Sequence, residues 1–139
     1  MGLVTVGETT VRVRYAETDT MGVVYYGNYL TYFEVGRVEF LRQNGLPMSE
    51  VNLKIHMPVV EATVRYVKPA RLDDLLHIRC WVAEKKRASF LFHYDIRHAE
   101  SGEVIATGLT RHACWHPESQ RMIGIPDWLG ALLVPTDPP

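Results

Sequence analysis

The chain has 139 residues, a length that suits one globular domain and is too short for two ordinary ones. With 47% hydrophobic and 22% charged residues it lies in the normal globular range, so we expect a packed core. The net charge of −1 argues against nucleic acid as the main partner, and no apolar run reaches the roughly 18 residues of a membrane span.

The first predicted elements are a strand and one long helix. Apolar and polar residues alternate from Thr9 to Tyr15, which indicates a strand, and the alternation stops in a turn-rich loop at residues 17–22. Apolar residues then recur at three- and four-residue steps from Asn28 to Asn44, which predicts a helix. We expect Asn28 to be its N-cap and Gly45 to be the left-handed residue after its last turn.

Gly36 lies in the middle of this predicted helix. A glycine there costs about 1 kcal/mol relative to alanine. Close packing of another backbone would account for the residue, and simple tolerance accounts for it equally well.

The remainder of the chain is predicted to be mainly strands. They cover Met57–Val67, Leu75–Ala83, Ser89–Arg97 and Glu103–Trp115. A short helix is expected near Pro126, and the domain is expected to span residues 1–133, with 134–139 as a disordered Pro-rich tail. Short connections between the last strands imply an antiparallel sheet with the long helix on one face. The uncovered edges and apolar faces favour a homodimer or homotetramer.

The loop before the long helix carries the most chemical information. A helix N-terminus presents free backbone N–H groups and a partial positive charge, which can stabilise a carbonyl oxygen as it becomes an oxyanion. Asp19, from the preceding loop, would be placed to attack the carbonyl carbon or to activate a water. From spacing alone, however, an Asp before a helix is more often a cap or turn residue.

The segment Asp19 to Tyr29 reads Asp-Thr-Met-Gly-Val-Val-Tyr-Tyr-Gly-Asn-Tyr and resembles the signature of the 4-hydroxybenzoyl-CoA thioesterase family. The resemblance extends over nearly the whole chain, through the Arg12–Tyr15 segment, the helix, Leu72–Leu75 and Arg87–Phe90. It implies an α+β hotdog fold, in which a curved antiparallel sheet of about five strands wraps around one long helix. It also implies hydrolysis of acyl-CoA thioesters to a free acid and CoA.

The resemblance further implies roles for individual residues. Asp19 matches the catalytic aspartate of the family, and Tyr26 matches the position whose backbone N–H polarises the thioester carbonyl. Substrate contacts are expected from a second set of residues near the motif and in a basic turn, namely Gly22, Val23, Tyr25, Lys85, Lys86 and Arg87. The last three would bind CoA phosphates, which suits the chemistry of Lys and Arg, although a solvated turn is an equally good interpretation.

Two positions depart from the family pattern. Glu17 replaces the first aspartate of an Asp-x-Asp pair, and Tyr26 stands where a branch similar to Tol–Pal-associated thioesterases often has His. These departures leave the acyl substrate undefined. Glu34, on the helix, is a reserve candidate for the carboxylate.

We expect neither a metal nor a cofactor. His112 and His116 are four residues apart on a predicted strand, a spacing that spreads ligands. Cys80 and Cys114 lie within strands and are expected to be buried thiols. No secretory signal is visible and nothing indicates a disulfide framework, so the cytoplasm is the expected compartment.

Two other functions compete with thioester hydrolysis. One is a hotdog hydratase or dehydratase, whose chemistry resembles cases with a His paired to the acid, and no His lies near Asp19 in sequence. The other is a non-catalytic acyl-CoA-binding module in which Asp19 only caps or turns the chain.

Overall fold

A computed structural model describes residues 2–139 of the chain. Its elements in chain order are β1 (Val6–Arg12), a 3₁₀ turn (Tyr15–Glu17), α1 (Asn28–Gln43), α2 (Met48–Val51), β2 (Val59–Tyr66), β3 (Leu75–Lys85), β4 (Ser89–His98), β5 (Val104–His116), β6 (Arg121–Ile123) and α3 (Asp127–Gly130).

The strands form one antiparallel sheet in the order β1-β3-β4-β5-β2, with β6 paired to β5. Helix α1 packs on one face of this curled sheet, against alternate apolar side chains of β3 and β4. Phe33 of α1 stacks on Tyr94 of β4 with ring centroids 4.3 Å apart, and both rings are buried. The α+β architecture expected from the sequence is therefore confirmed.

Helix α1 begins differently from the prediction. Gly27 is the N-cap and Asn28 is the first helical residue, so the proposed Asn28 cap is wrong. The Asn28 side chain instead donates from Nδ2 to the backbone oxygen of Glu17 at 2.9 Å. This contact ties the start of α1 to the loop before it. At the other end Gly45 has φ +79°, as expected for the left-handed residue after a helix.

The structure decides between the two interpretations of Gly36. A Cβ atom at this position would lie 2.9 Å from Ile78 Cγ2 of β3. The close neighbour is a side chain of the sheet and not another backbone, and a larger residue would fit only if Ile78 moved. Packing rather than tolerance therefore accounts for the glycine.

Strand β2 lies at the edge of the sheet, and among residues 2–139 it pairs with β5 alone. Most of its side chains are exposed, including the apolar Val59 at 46% and Val60 at 56%. An exposed apolar edge of this kind is a ready surface for pairing with another chain.

Several short features had no clear sequence signal. Helix α2 and strand β6 are four and three residues long, below the length at which periodicity is informative. Near the C-terminus, the Thr136 N–H donates to the Val82 carbonyl at 2.8 Å and ties that residue to β3. Disorder of residues 134–139 stays a prediction. Within residues 2–139, no helix is both long and apolar enough to cross a membrane.

Candidate active site

Asp19 lies in a tight turn that its own backbone closes. Its N–H donates to the Val23 carbonyl at 2.8 Å, and its carbonyl accepts from the Gly22 N–H at 3.1 Å. Gly22 has φ +77°, a conformation that residues with a Cβ rarely adopt. The glycine therefore permits the turn that presents the Asp19 side chain.

The two carboxylate oxygens of Asp19 have different surroundings. Oδ1 accepts from the Met21 N–H at 2.8 Å and from the Val23 N–H at 3.4 Å, the pattern of an Asx turn. Oδ2 accepts no hydrogen bond from any residue that the structure describes. Asp19 is thus a turn residue through one oxygen, and the other oxygen remains free for chemistry. It does not cap α1, which begins nine residues later in the chain.

Asp19 and Tyr26 line the same cavity, which has a volume of about 330 Å³. Its walls come from the Asp19 loop, the start of α1 and the segment after β2; the remaining lining residues are Val23, Val24, Tyr29, Tyr66, Val67, Lys68 and Pro69. Most of these side chains are apolar or aromatic, so the cavity suits an organic group beside a single carboxylate.

The Tyr26 N–H is a free donor at the entrance to α1. Across residues 2–139 it has no hydrogen-bond acceptor, and it lies two residues before the first helical position. The Tyr66 hydroxyl donates to the Tyr26 carbonyl at 3.0 Å, and the Tyr66 ring meets Tyr29 edge-on at 5.4 Å. These contacts hold the backbone that carries the free N–H.

The other expected substrate residues of the motif lie beside the cavity in different ways. Val23 lines it, whereas Gly22 and Tyr25 do not. The Tyr25 ring packs on the Tyr26 ring at 4.5 Å and is 47% exposed. Their contact with substrate stays a prediction.

The basic turn lies far from Asp19 within one chain. Lys85, Lys86 and Arg87 line a second cavity of about 460 Å³ together with the segment around α3. In the register of the sheet, Lys85 of β3 lies opposite Phe90 of β4, which lies opposite His112 of β5. Tyr66, which lines the Asp19 cavity, lies opposite Ala106 of β5. These two β5 positions are separated by about 20 Å at the usual rise of a strand.

The three basic side chains differ in how they are held. Lys85 Nζ donates to the Gly130 carbonyl at 2.9 Å, and Lys86 Nζ lies 3.3 Å from Glu84 Oε1. Arg87 is exposed. All three remain available to bind an anion.

The sequence did not indicate that the end of β2 and the residues after it line the Asp19 cavity. Tyr66, Val67 and Lys68 reach the cavity because the Val24 N–H donates to the Ala70 carbonyl at 2.9 Å. Lys68 also forms a surface ion pair with Glu103. These residues lie more than 40 positions after Asp19, and no local pattern signals their approach.

The reserve candidate Glu34 lies in a different cavity. That cavity, of about 260 Å³, lies between α1 and β2 and also contains Arg37 and Thr110. Glu34 is therefore separate from the Asp19 cavity.

The histidines and cysteines have structural contacts. His112 is buried, and its Nδ1–H donates to the Met57 carbonyl at 3.1 Å. Its Nε2 is then the acceptor of the Thr110 hydroxyl, at 2.8 Å from Oγ1. His116 instead contacts Ser119. Burial raises the pKa of the Cys80 thiol well above its usual value and that of Cys114 to about 11. Both thiols are therefore protonated at neutral pH.

The family profile described as the Thioesterase-like superfamily matches residues 13–133. The chain is 36% identical over 92 residues to the acyl-CoA thioester hydrolase YbgC of Escherichia coli O6:H1, covering 66% of this chain and 69% of that protein. It is 29% identical over 123 residues to a 1,4-dihydroxy-2-naphthoyl-CoA hydrolase of Thermosynechococcus vestitus, covering 87% and 84%.

A solved structure agrees with these matches. The DHNA-CoA thioesterase from Staphylococcus aureus superimposes with a TM-score of 0.84 at 33% identity, covering 91% of this chain and 87% of that one.

Proposed function

This chain belongs to the thioesterase-like superfamily and is an acyl-CoA thioesterase, and we propose that the Asp19 cavity is where it hydrolyses its substrate. The observation that carries the proposal is the cavity that Asp19 and Tyr26 share. One supplies a carboxylate with a free oxygen, and the other supplies a free N–H near a helix N-terminus. A general base or nucleophile and an oxyanion donor are the two groups that accelerate acyl transfer from a thioester.

In the proposed reaction the thioester carbonyl oxygen accepts a hydrogen bond from the Tyr26 N–H. The dipole of α1 adds positive potential at the same place, so negative charge that develops on this oxygen is stabilised. Asp19 Oδ2 either attacks the carbonyl carbon and forms a mixed anhydride, or takes a proton from a water that attacks it. In both routes the C–S bond breaks, CoA leaves as its thiol after protonation, and one water is consumed. The water oxygen ends in the free acid, except where water opens the anhydride at the aspartyl carbon: there Asp19 gives one of its oxygens to the acid and takes the water oxygen in exchange.

The position of the water oxygen identifies one form of the anhydride route, in which water opens the anhydride at the aspartyl carbon. A single turnover in H₂¹⁸O with excess enzyme labels the product directly if Asp19 activates water. If Asp19 forms an anhydride that water opens at the acyl carbon, the product is also labelled, so the informative measurement is ¹⁸O in Asp19. Label in the carboxylate after several turnovers requires an anhydride that water opens at the aspartyl carbon.

For the substrate, we propose that the apolar wall of the cavity receives the acyl group beside Val23, with Gly22 and Tyr25 shaping its entrance. Lys68 lines the same cavity and is more than half exposed, so it is placed to contact the CoA portion. Arg and Lys side chains are the usual partners of phosphate groups.

The proposed phosphate role of Lys85, Lys86 and Arg87 requires a second subunit, because the basic turn and Asp19 lie at opposite ends of the sheet. The exposed apolar edge β2 supports pairing of two chains, as a homodimer or as half of a homotetramer. In such an assembly the basic turn of one subunit would serve the Asp19 cavity of its partner. We also propose that the enzyme acts on acyl-CoA in the cytoplasm.

Subunit complementation tests this arrangement. A variant that carries Asp19→Asn is co-expressed with one that carries Lys85, Lys86 and Arg87 all changed to Ala, each with a different affinity tag. If CoA binding crosses the interface, one of the two sites in the purified mixed dimer has an intact Asp19 and an intact basic turn. That dimer then shows the low KM of wild type with about half of its kcat per dimer. Mixed dimers with the high KM of the triple variant, or active monomers by light scattering, would contradict the arrangement.

Asp19→Asn tests the function itself. Asn keeps the Oδ1 contacts to Met21 and Val23 but removes the charge of Oδ2, so the turn should survive. We expect kcat for thiol release from a panel of acyl-CoAs to fall at least about 100-fold, since a general base alone contributes about 10²–10⁴-fold. Asp73→Asn is the matched control, because Asp73 is an exposed turn residue outside the cavity. Wild-type turnover in the Asp19 variant would make Asp19 a turn residue only.

A further inference from the structure

Glu17 lies two residues before Asp19 and binds both segments that form the candidate site. Its backbone oxygen accepts from the Tyr25 N–H at 2.9 Å and from Asn28 Nδ2 at 2.9 Å. Tyr25 and Asn28 lie on either side of Tyr26, whose N–H faces the cavity in the proposed reaction. The backbone of Glu17 therefore ties the loop that carries Asp19 to the chain that carries the oxyanion donor.

The carboxylate of Glu17 makes a second set of contacts. Oε1 accepts from the Arg14 N–H at 3.0 Å and from the Tyr32 hydroxyl at 2.8 Å, and Oε2 accepts from Arg14 Nε at 2.7 Å. Tyr32 is a buried residue of α1, and the Glu17 side chain is only 15% exposed. The side chain thus joins the turn after β1 to the helix.

These contacts keep Glu17 ionised. Burial by itself raises the pKa of this carboxyl, but the hydrogen bonds from Arg14 and Tyr32 act in the opposite direction, and the pKa is lowered overall. Charge-assisted hydrogen bonds of this kind are about twice as strong as neutral ones. Glu17 does not line the Asp19 cavity, so its carboxylate does not contact the substrate there.

We propose that Glu17 is a positioning residue for hydrolysis, and that its carboxylate holds Asp19 at the correct distance from the Tyr26 N–H by anchoring the loop to Tyr32. The inference rests on the proposed function. The reaction depends on two groups that belong to different segments, and a misplacement of about 1 Å between reacting groups can cost about 100-fold in rate. The Glu17–Tyr32 contact links these segments through two side chains, beside the bond from the Asn28 side chain to the Glu17 backbone.

An ion pair that only stabilises the fold would behave differently. Its loss would lower the free energy of unfolding and leave kcat of the folded enzyme unchanged. Loss of a positioning contact lowers kcat, while KM changes little because the cavity walls and the basic side chains remain. The ratio of the two effects therefore separates the two roles.

The test uses the full chain and three single variants. Glu17→Gln removes the charge, so the hydrogen bond from the Tyr32 hydroxyl weakens to a neutral one, and it places an NH₂ group where Arg14 Nε needs an acceptor. Tyr32→Phe retains the buried ring and removes only the hydroxyl. Glu39→Gln is the control, because Glu39 forms an ion pair with Arg42 on the same helix and lies outside the cavity. Folding of each variant is checked by circular dichroism and urea unfolding.

We expect Glu17→Gln to lower kcat about 10-fold and Tyr32→Phe about 5-fold, with KM within about threefold of wild type. The kcat of the double variant should lie within about twofold of the kcat of Glu17→Gln, because Tyr32 acts through Glu17 and the two losses are not additive. Glu39→Gln should retain both constants.

Unchanged kcat in Glu17→Gln, or fully additive losses in the double variant, would overturn the inference. If Glu17→Gln fails to fold, Tyr32→Phe decides, and wild-type kcat in that variant overturns it. An inactive Asp19→Asn beside a fully active Glu17→Gln would reject this inference alone. Activity retained in Asp19→Asn would reject the proposed function.

Discussion

Buried His112 should make the stability of this enzyme depend on pH between about 4 and 6.5. The ring is 1% exposed, and its pKa is lowered from 6.5 to about 4. Burial is the main cause, the hydrogen bond to the Met57 carbonyl opposes it, and the charge of Arg37 adds a smaller lowering. The folded protein therefore keeps His112 neutral over this range, while the unfolded chain binds a proton there.

The sign and size of the effect follow from proton linkage. The unfolded state binds more protons throughout the window, so the free energy of unfolding rises with pH from about 4 to 6.5 and is unaffected by His112 above it. Each pH unit contributes about 1.4 kcal/mol, which amounts to about 3 kcal/mol over the whole window. Typical domains have a free energy of unfolding of about 5–15 kcal/mol, so His112 would account for about a third of a typical value.

The perturbation is His112→Gln, which keeps an acceptor for Thr110 and a donor for the Met57 carbonyl but does not titrate. Urea unfolding of wild type and variant is followed by tryptophan fluorescence at several pH values from 7.5 to 4.5, at one fixed protein concentration because association would shift the apparent stability. His116→Gln serves as the control, since His116 contacts Ser119 near the surface.

We expect wild type to lose about 2–3 kcal/mol more than His112→Gln as the pH falls from 6.5 to 4.5. The control should follow wild type. If the free energies of unfolding of wild type and His112→Gln differed by the same amount at all pH values, the reasoning would be refuted. His112 would then take up no proton on unfolding in this pH range.

Three further predictions concern binding and packing. Lys68→Ala should raise KM for acyl-CoA about 3- to 10-fold with kcat nearly unchanged, measured by steady-state thiol release. An unchanged KM would show that Lys68 forms only its surface ion pair with Glu103 and does not contact the substrate. Lys86→Ala should raise KM for acyl-CoA but not for the matching acyl-pantetheine, which lacks the nucleotide phosphates, and equal effects on both would exclude phosphate contact. Gly36→Ala should destabilise the protein by about 1 kcal/mol in urea unfolding. Overpacking against Ile78 costs about 1–3 kcal/mol and exceeds the gain of about 1 kcal/mol in helix propensity. A more stable variant would show that the sheet moves away from the helix.

Much of the fold could be predicted from periodicity alone. Alternation located β3, β4 and β5 to within two residues, and three- and four-residue steps located α1, because these patterns record which face of each element is buried. The exact start of α1 was not predictable, since the choice between Gly27 and Asn28 as N-cap depended on a contact between Asn28 and Glu17. Elements of three or four residues, such as α2, are too short to show a period.

For the candidate site, the sequence by itself determined the local part. Asp19, Gly22 and Tyr26 lie within eight consecutive residues, so a single turn brings them together and a motif can record it. Tertiary structure alone brought Lys68 to the same cavity and placed Lys86 at the far end of the sheet. Strand order and register decide such distances, and these depend on pairings between residues far apart in the chain, which no local pattern of side chains specifies.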